Sequence, residues 1–153
     1  MTIKDRIKPM RYIKNNRTDY RPTTLGGLAD ALGLCSCVVK YVHLYIVSTN
    51  FDIIHDVANS MYNSLEYYYD ILAEQAIIFE EKVKPLCNTG NFDCDYERLD
   101  YLQAVYILND VICDIEDMLN AFPFENYPRG VESKMGDMSA ELADYNYKLL
   151  SLI

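Results

Sequence analysis

Two histidines lie on either side of one predicted turn, and imidazole pairs are common metal ligands. His43 and His55 are the only histidines among the 153 residues. The segment 48–50 between them reads as a break between helices. If that break is a tight turn, each histidine lies about six helical residues, or roughly 9 Å of rise, from it. The spacing therefore predicts that the two rings face one another across a helical hairpin.

Two carboxylates follow later on the second of these helices. Asp70 and Glu74 are four positions apart, which places both on one helix face. Two imidazoles and two carboxylates suit iron, and also zinc or manganese. Near a helical turn, however, histidines are commonly satisfied surface or core residues, and such carboxylates are commonly a solvated face. Spacing alone leaves both interpretations open.

The length of the helix decides how these groups can meet. Fifteen residues separate His55 from Asp70, which is about 22 Å on one helix, whereas metal–ligand bonds are about 2 Å. One chain cannot bring both pairs onto a single metal. An antiparallel partner across a two-fold axis would present its carboxylates to this chain's histidines, and reciprocally. The pattern predicts a shared site in at least a dimer.

The elements that must position these residues read as an all-α protein. Apolar residues recur at helical spacing, and nothing reads as alternating strands. Thr23 or Thr24 should cap the first helix, Asp52 the second, and Pro85 should end the second. We predict a basic N-terminal arm over 1–22 and a four-helix bundle over 23–153. The predicted helices run over about 24–48, 53–83, 96–121 and 131–150.

The charge is distributed unevenly. The net charge is −9, yet residues 1–21 contain seven Lys or Arg against two Asp, and an acidic body follows. Such an arm can bind DNA phosphates, weakly per copy and in a salt-sensitive way, with avidity from an assembly. The alternative is that it folds against an acidic neighbouring subunit. The candidate DNA-binding residues are Lys4, Arg6, Lys8, Arg11, Lys14, Arg17 and Arg21.

The cysteines and the N-terminus indicate where the protein works. Five cysteines are an odd number, and none forms a CxxC pair. Cys35 and Cys37 lie in an apolar helical stretch, where small buried thiols are usual. Cys87 and Cys94 flank a predicted loop and could form a bridge, although reduced thiols are the default. With no secretory signal recognisable, a cytoplasmic protein without membrane contact is expected.

The stretch 40–75 resembles the Dps family, the mini-ferritins. The family pattern His-Trp-x-Val, Asn-Phe, Leu-His-Glu and Asp-Glu-x-Ala-Glu-Arg has counterparts here. They are His43-Leu44-Tyr45-Ile46, Asn50-Phe51, Ile54-His55-Asp56 and Asp70-Ile71-Leu72-Ala73-Glu74-Gln75. The spacings of 12, 15 and 4 among the two histidines, the aspartate and the glutamate match the family's ferroxidase ligands.

The resemblance implies a ferritin-like four-helix bundle assembled as a hollow dodecamer. Such a protein is a ferroxidase that oxidises Fe(II) with hydrogen peroxide, or more slowly with dioxygen, and stores ferric mineral. It thereby protects against oxidative damage. The resemblance assigns metal binding and catalysis to His43, His55, Asp70 and Glu74, at a two-fold interface. It also implies acidic pores near the start of the last helix, where Glu125, Glu132 and Asp137 fall. The alternative, which is the more usual one for any single residue, is that they form a solvated acidic surface.

Departures from the family pattern limit which properties of the family can be assigned to this chain. Leu44 replaces a tryptophan and Gln75 an arginine. Asn59 replaces an acidic residue that helps to hold a second iron, which predicts a weak second contact there. An alternative is therefore a ferritin-like DNA-binding or structural cage protein with weakened or lost ferroxidase activity. An in-bundle di-iron enzyme is excluded, because the third and fourth predicted helices contain no histidine.

Tyrosines are abundant, and three of them precede Asp70. Tyr67, Tyr68 and Tyr69 are candidates for donating electrons during iron oxidation. The alternative is that they pack in the core or at an interface, which is the usual role of such residues.

Overall fold

A computed structural model describes residues 21–46, 51–83 and 98–153, and four helices dominate these ranges. They are α1 (Leu25–Tyr45), α2 (Phe51–Ile78), α3 (Tyr101–Ala121) and α4 (Arg129–Leu150), with a short 3₁₀ helix (Phe124–Asn126) before α4. The described part of the chain contains no strand, only an isolated bridge between Ile46 and Leu99. The predicted all-α class is confirmed, whereas the predicted arm lies almost wholly outside the described residues.

The four helices share one apolar core. α1 packs along α2, α4 packs against both α2 and α3, and α3 also contacts α1. Most of the apolar positions predicted from helical spacing are buried, among them Leu28 and Val39 of α1 and Met61 and Leu65 of α2. Ile77 is an exception, because 65% of its surface is exposed near the end of α2.

α1 is the most apolar of the helices. By length and composition alone, it would be long and apolar enough to cross a membrane, yet 78% of that stretch is buried inside the bundle. A helix that touches protein on most of its faces has the same composition. The cytoplasmic location stays a prediction.

The starts of α1, α2 and α3 agree with the sequence prediction to different degrees. The prediction of Thr24 as the cap of α1 is confirmed, since its hydroxyl accepts a hydrogen bond from the Gly27 N–H at 3.1 Å. Asp52 was predicted to cap α2 but lies in its first turn, where its charge favours the helix dipole. α3 starts later than the predicted position 96, because Asp100 and Gln103 form a reciprocal capping box.

The end of α2 also differs from the sequence prediction. The helix stops well before Pro85, so that proline does not terminate it. Glu80 has a positive φ of 58°, and its N–H donates to the Ile77 carbonyl while the Glu81 N–H donates to the Ala76 carbonyl. This pair of bonds is a Schellman motif, which glycine usually completes. Because Glu80 takes the place of that glycine, the sequence does not indicate that the helix ends here.

The turn after α2 delivers a carboxylate to the beginning of α1. Glu81 Oε1 accepts the Gly26 N–H at 3.0 Å, and its Oε2 accepts the Tyr127 hydroxyl at 2.8 Å. That hydroxyl also accepts the Leu25 N–H at 3.3 Å. A Cβ at position 26 would overlap the Lys82 carbonyl oxygen, so only glycine fits. Three separate segments are thereby joined where α1 begins.

Replacing Glu81 by Ala should destabilise the bundle by about 1–3 kcal/mol, because a helix N–H and a phenol lose their acceptor. The measurement is the free energy of unfolding in urea. Glu80→Gln is the matched control, since it changes the neighbouring glutamate without touching this network. Equal stability of the two variants would contradict the proposed importance of Glu81.

Candidate metal centre

The two histidines meet across the hairpin of α1 and α2. Their ring centroids are 3.9 Å apart, and the ring planes are inclined by 30°. His43 lies in the last turn of α1 and His55 near the start of α2. The contact predicted from their spacing is confirmed. Two imidazoles held together by separate helices provide two nitrogen ligands without a long loop.

The environment of His43 favours its neutral form. Burial lowers its pKa from 6.5, and the neighbouring His55 and Lys40 lower it further, while a backbone interaction at His55 acts in the opposite direction. Its Nδ1 is buried and has no hydrogen-bond partner within the described residues. A neutral imidazole is the form that binds a metal.

The surroundings of His55 are more open. Its side chain is 34% exposed, and its Nδ1 lies 4.0 Å from the Asp56 Oδ1. That distance is too long for a hydrogen bond, and Asp56 is 85% exposed, so this contact is weak.

Asp70 and Glu74 lie on the same unbroken helix as His55 but far from it. Both are exposed, and about 22 Å of helix separates Asp70 from His55. Around the helix axis, Asp70 lies only about 60° from His55, so these two residues share one side of α2. Within the described ranges, no group of three or more metal-ligating side chains lies together. The four predicted ligands form two half-sites in one chain.

Several large apolar side chains of α1 and α2 are exposed. Ile53 is 49% exposed, Tyr67 55% and Ile78 69%, and Leu44 on α1 is 65% exposed. Tyr67 and Ile78 lie within about 40° of Glu74 around the axis of α2, whereas Ile53 lies about 160° around from His55. Asn59, predicted as a weak second contact, is exposed one turn after His55.

A polar cluster that the sequence reading did not single out lies between the half-sites. The Tyr62 hydroxyl donates to Glu66 Oε1 at 2.7 Å, and Lys40 Nζ lies 4.6 Å from the centre of the Tyr62 ring. The hydrogen bond to Glu66 and burial raise the pKa of Tyr62 to about 12. The spacing of four between tyrosine and glutamate was the signal that could have revealed the pair.

The three tyrosines before Asp70 divide between surface and core. Tyr68 and Tyr69 are buried, whereas Tyr67 is exposed and meets the Tyr68 ring edge-on at 5.0 Å. Burial and the nearby Glu141 and Asp137 raise the pKa of Tyr68 to about 12. The packing role is thus evident for two of the three, and electron donation by them remains a prediction.

Of the candidate DNA-binding residues, only Arg21 is described, and it is exposed. The other six (Lys4, Arg6, Lys8, Arg11, Lys14 and Arg17) lie outside the described residues. Cys87 and Cys94 also lie outside them, whereas Cys35 is buried as predicted and Cys37 is partly buried.

Comparison with protein-family models, with curated proteins and with solved structures gives no match. The likeness to the Dps family therefore depends on the motif in 40–75 and on the geometry that it produces.

An NMR titration should show the His43 ring titrating below pH 6.5, and the folded state should lose stability as the pH falls below that value. The unfolded chain binds this proton more readily than the folded chain, which gives the stated sign. Lys40→Gln should raise the pKa of His43, because it removes a nearby cation, whereas Lys148→Gln on exposed α4 surface should not. An unchanged His43 midpoint in Lys40→Gln would show that the cause is misassigned.

Proposed function

We propose that this protein is a Dps-like ferroxidase with a ferritin-like fold, in which two chains share each iron site. The observation that carries the proposal is the contact of the His43 and His55 rings at 3.9 Å. Asp70 and Glu74 provide the complementary half-site on the same helix. By the family resemblance, the assembly is a hollow dodecamer that stores ferric mineral.

The register of the shared interface follows from the ligand positions. If α2 packs antiparallel to its copy, His55 lies opposite the carboxylates when the two-fold axis passes near Asn63. That residue is exposed on α2. Tyr67 is 55% exposed and lies one turn after Asn63, about 40° around the helix axis, so the interface would cover it. Ligand geometry and apolar burial support the same pairing.

The donor set suits Fe(II) as a substrate that becomes Fe(III). Imidazoles bind Fe(II) well, and carboxylates stabilise the higher charge that forms on oxidation. Four protein ligands also leave a coordination position for the oxidant. Hydrogen peroxide that is consumed with Fe(II) at this site no longer yields hydroxyl radicals in solution.

The proposed route by which iron enters is an acidic pocket. A cavity of about 460 Å³ lies where α3 ends and α4 begins, and its lining includes Glu116, Glu125 and Glu132. Clustered carboxylates concentrate cations. The family resemblance implies pores in this region, where two of these residues fall, and we include such a passage in the proposal. Asp137, the third predicted residue, does not line this pocket.

The second candidate function is a structural or DNA-binding cage with little ferroxidase activity. It is favoured by Asn59, which puts an amide one turn after His55 where the family often has a carboxylate. The exposed Leu44 gives the same indication, since a tryptophan is usual there. Both candidates share the fold and assembly and differ in whether Fe(II) is oxidised.

The shared site can be tested with two inactive variants combined in one assembly. His43→Ala and Asp70→Ala should each abolish the ferric absorbance that Fe(II) and peroxide produce. When both variants are co-expressed in equal amounts, about a quarter of the sites should combine intact histidines with intact carboxylates. The measurement is the initial rate of ferric absorbance in the mixed assembly, isolated through two different affinity tags.

Asp117→Asn on the exposed surface of α3 is the control and should retain the full rate. A mixed assembly without any recovered activity would contradict a site shared between two chains. Full activity of both single variants would contradict the assignment of these ligands. A wild-type protein that produces no ferric absorbance would favour the structural or DNA-binding cage.

A further inference from the structure

The cluster of Lys40, Tyr62 and Glu66 occupies the stretch of α2 between the two half-sites. Tyr62 is seven residues after His55 and eight before Asp70, so about 10–12 Å of helix separates it from each. In the proposed dimer, Tyr62 would therefore lie at similar distances from both irons. The sequence resemblance assigns no role to it.

The reaction needs electrons that one iron cannot supply. Reducing one hydrogen peroxide to two waters takes two electrons, and one Fe(II) gives only one. Asn59 replaces the acidic residue that helps to hold a second iron in the family. A site that holds one iron strongly therefore needs another electron donor, or it releases a hydroxyl radical. This inference rests on the proposed ferroxidase function.

We propose that Tyr62 supplies the second electron and that Glu66 takes its proton. Fe(II), the Tyr62 phenol, the Glu66 carboxylate, one hydrogen peroxide and two protons from solvent react together. The products are Fe(III), a neutral Tyr62 phenoxyl radical, the protonated Glu66 carboxyl and two waters. The peroxide O–O bond and the phenol O–H bond break, and the iron and the tyrosine are each oxidised by one electron.

The contacts of Tyr62 suit this role. Its O–H donates directly to the Glu66 carboxylate at 2.7 Å, so the proton has an acceptor at the moment the electron leaves. The Lys40 ammonium lies 4.6 Å from the ring centre. A cation at that position disfavours a positively charged ring, so loss of the proton must accompany loss of the electron. The phenol is protonated at neutral pH, and the hydrogen bond to Glu66, together with burial, raises its pKa further, to about 12.

Tyr68 provides a stringent comparison. It also has a carboxylate neighbour, Glu141, and a similarly raised pKa of about 12. However, it is buried in the core, about 160° around α2 from Asp70. An acidic environment alone would make both tyrosines equivalent, whereas the position on the iron-binding side of α2 selects Tyr62.

The test is freeze-quench electron paramagnetic resonance of the assembled protein after Fe(II) and hydrogen peroxide are mixed. The wild-type protein and Tyr68→Phe should show a tyrosyl radical, and Tyr62→Phe should lose it. All three should still form ferric product, and Tyr62→Phe should release more hydroxyl radical to a spin trap. Glu66→Gln should slow radical formation, because an amide does not accept the proton.

The outcomes separate the two claims. Ferric product with an undiminished radical in Tyr62→Phe, or a radical lost only in Tyr68→Phe, overturns the role of Tyr62 and leaves the ferroxidase proposal intact. If the wild-type protein forms no ferric product at all, the ferroxidase proposal and the role of Tyr62 are both overturned.

Discussion

The fixed rise of an α-helix is the constraint on which the proposed chemistry depends. α2 runs without interruption from Phe51 to Ile78 and carries both a histidine ligand and the two carboxylates. At 1.5 Å per residue, His55 and Asp70 cannot approach one another within a chain. The helix acts as a rigid spacer, and any site that uses all four ligands must be completed by a second copy. Tyr67, which is exposed on the same side of α2 as Glu74, supplies an apolar contact for that copy.

Much of the site could be predicted from the sequence because it depends on helix periodicity. The contact of His43 with His55 needed only two helices and a short connection. The end of α2 could not be predicted, because Glu80 adopts a left-handed conformation that is usual for glycine. The interface and the assembly depend on a second chain, about which one sequence offers only patterns.

Contacts between segments far apart in the chain also could not be predicted from the sequence. Glu81 lies far along the chain from Gly26 and Tyr127, yet its carboxylate joins both. No local pattern distinguishes it from Glu80 beside it. These contacts fix the start of α1, and α1 in turn carries His43 at its other end.

Assembly is the most direct test of this account, and light scattering of the purified protein measures it. The chain has a mass of 17.7 kDa. The account predicts a particle of about twelve subunits, in which every two-fold contact completes two symmetric sites. A stable dimer would keep the shared site and remove the cage. A monomer at micromolar concentration would contradict the central claim, because His43 and His55 would then lie out of reach of Asp70 and Glu74.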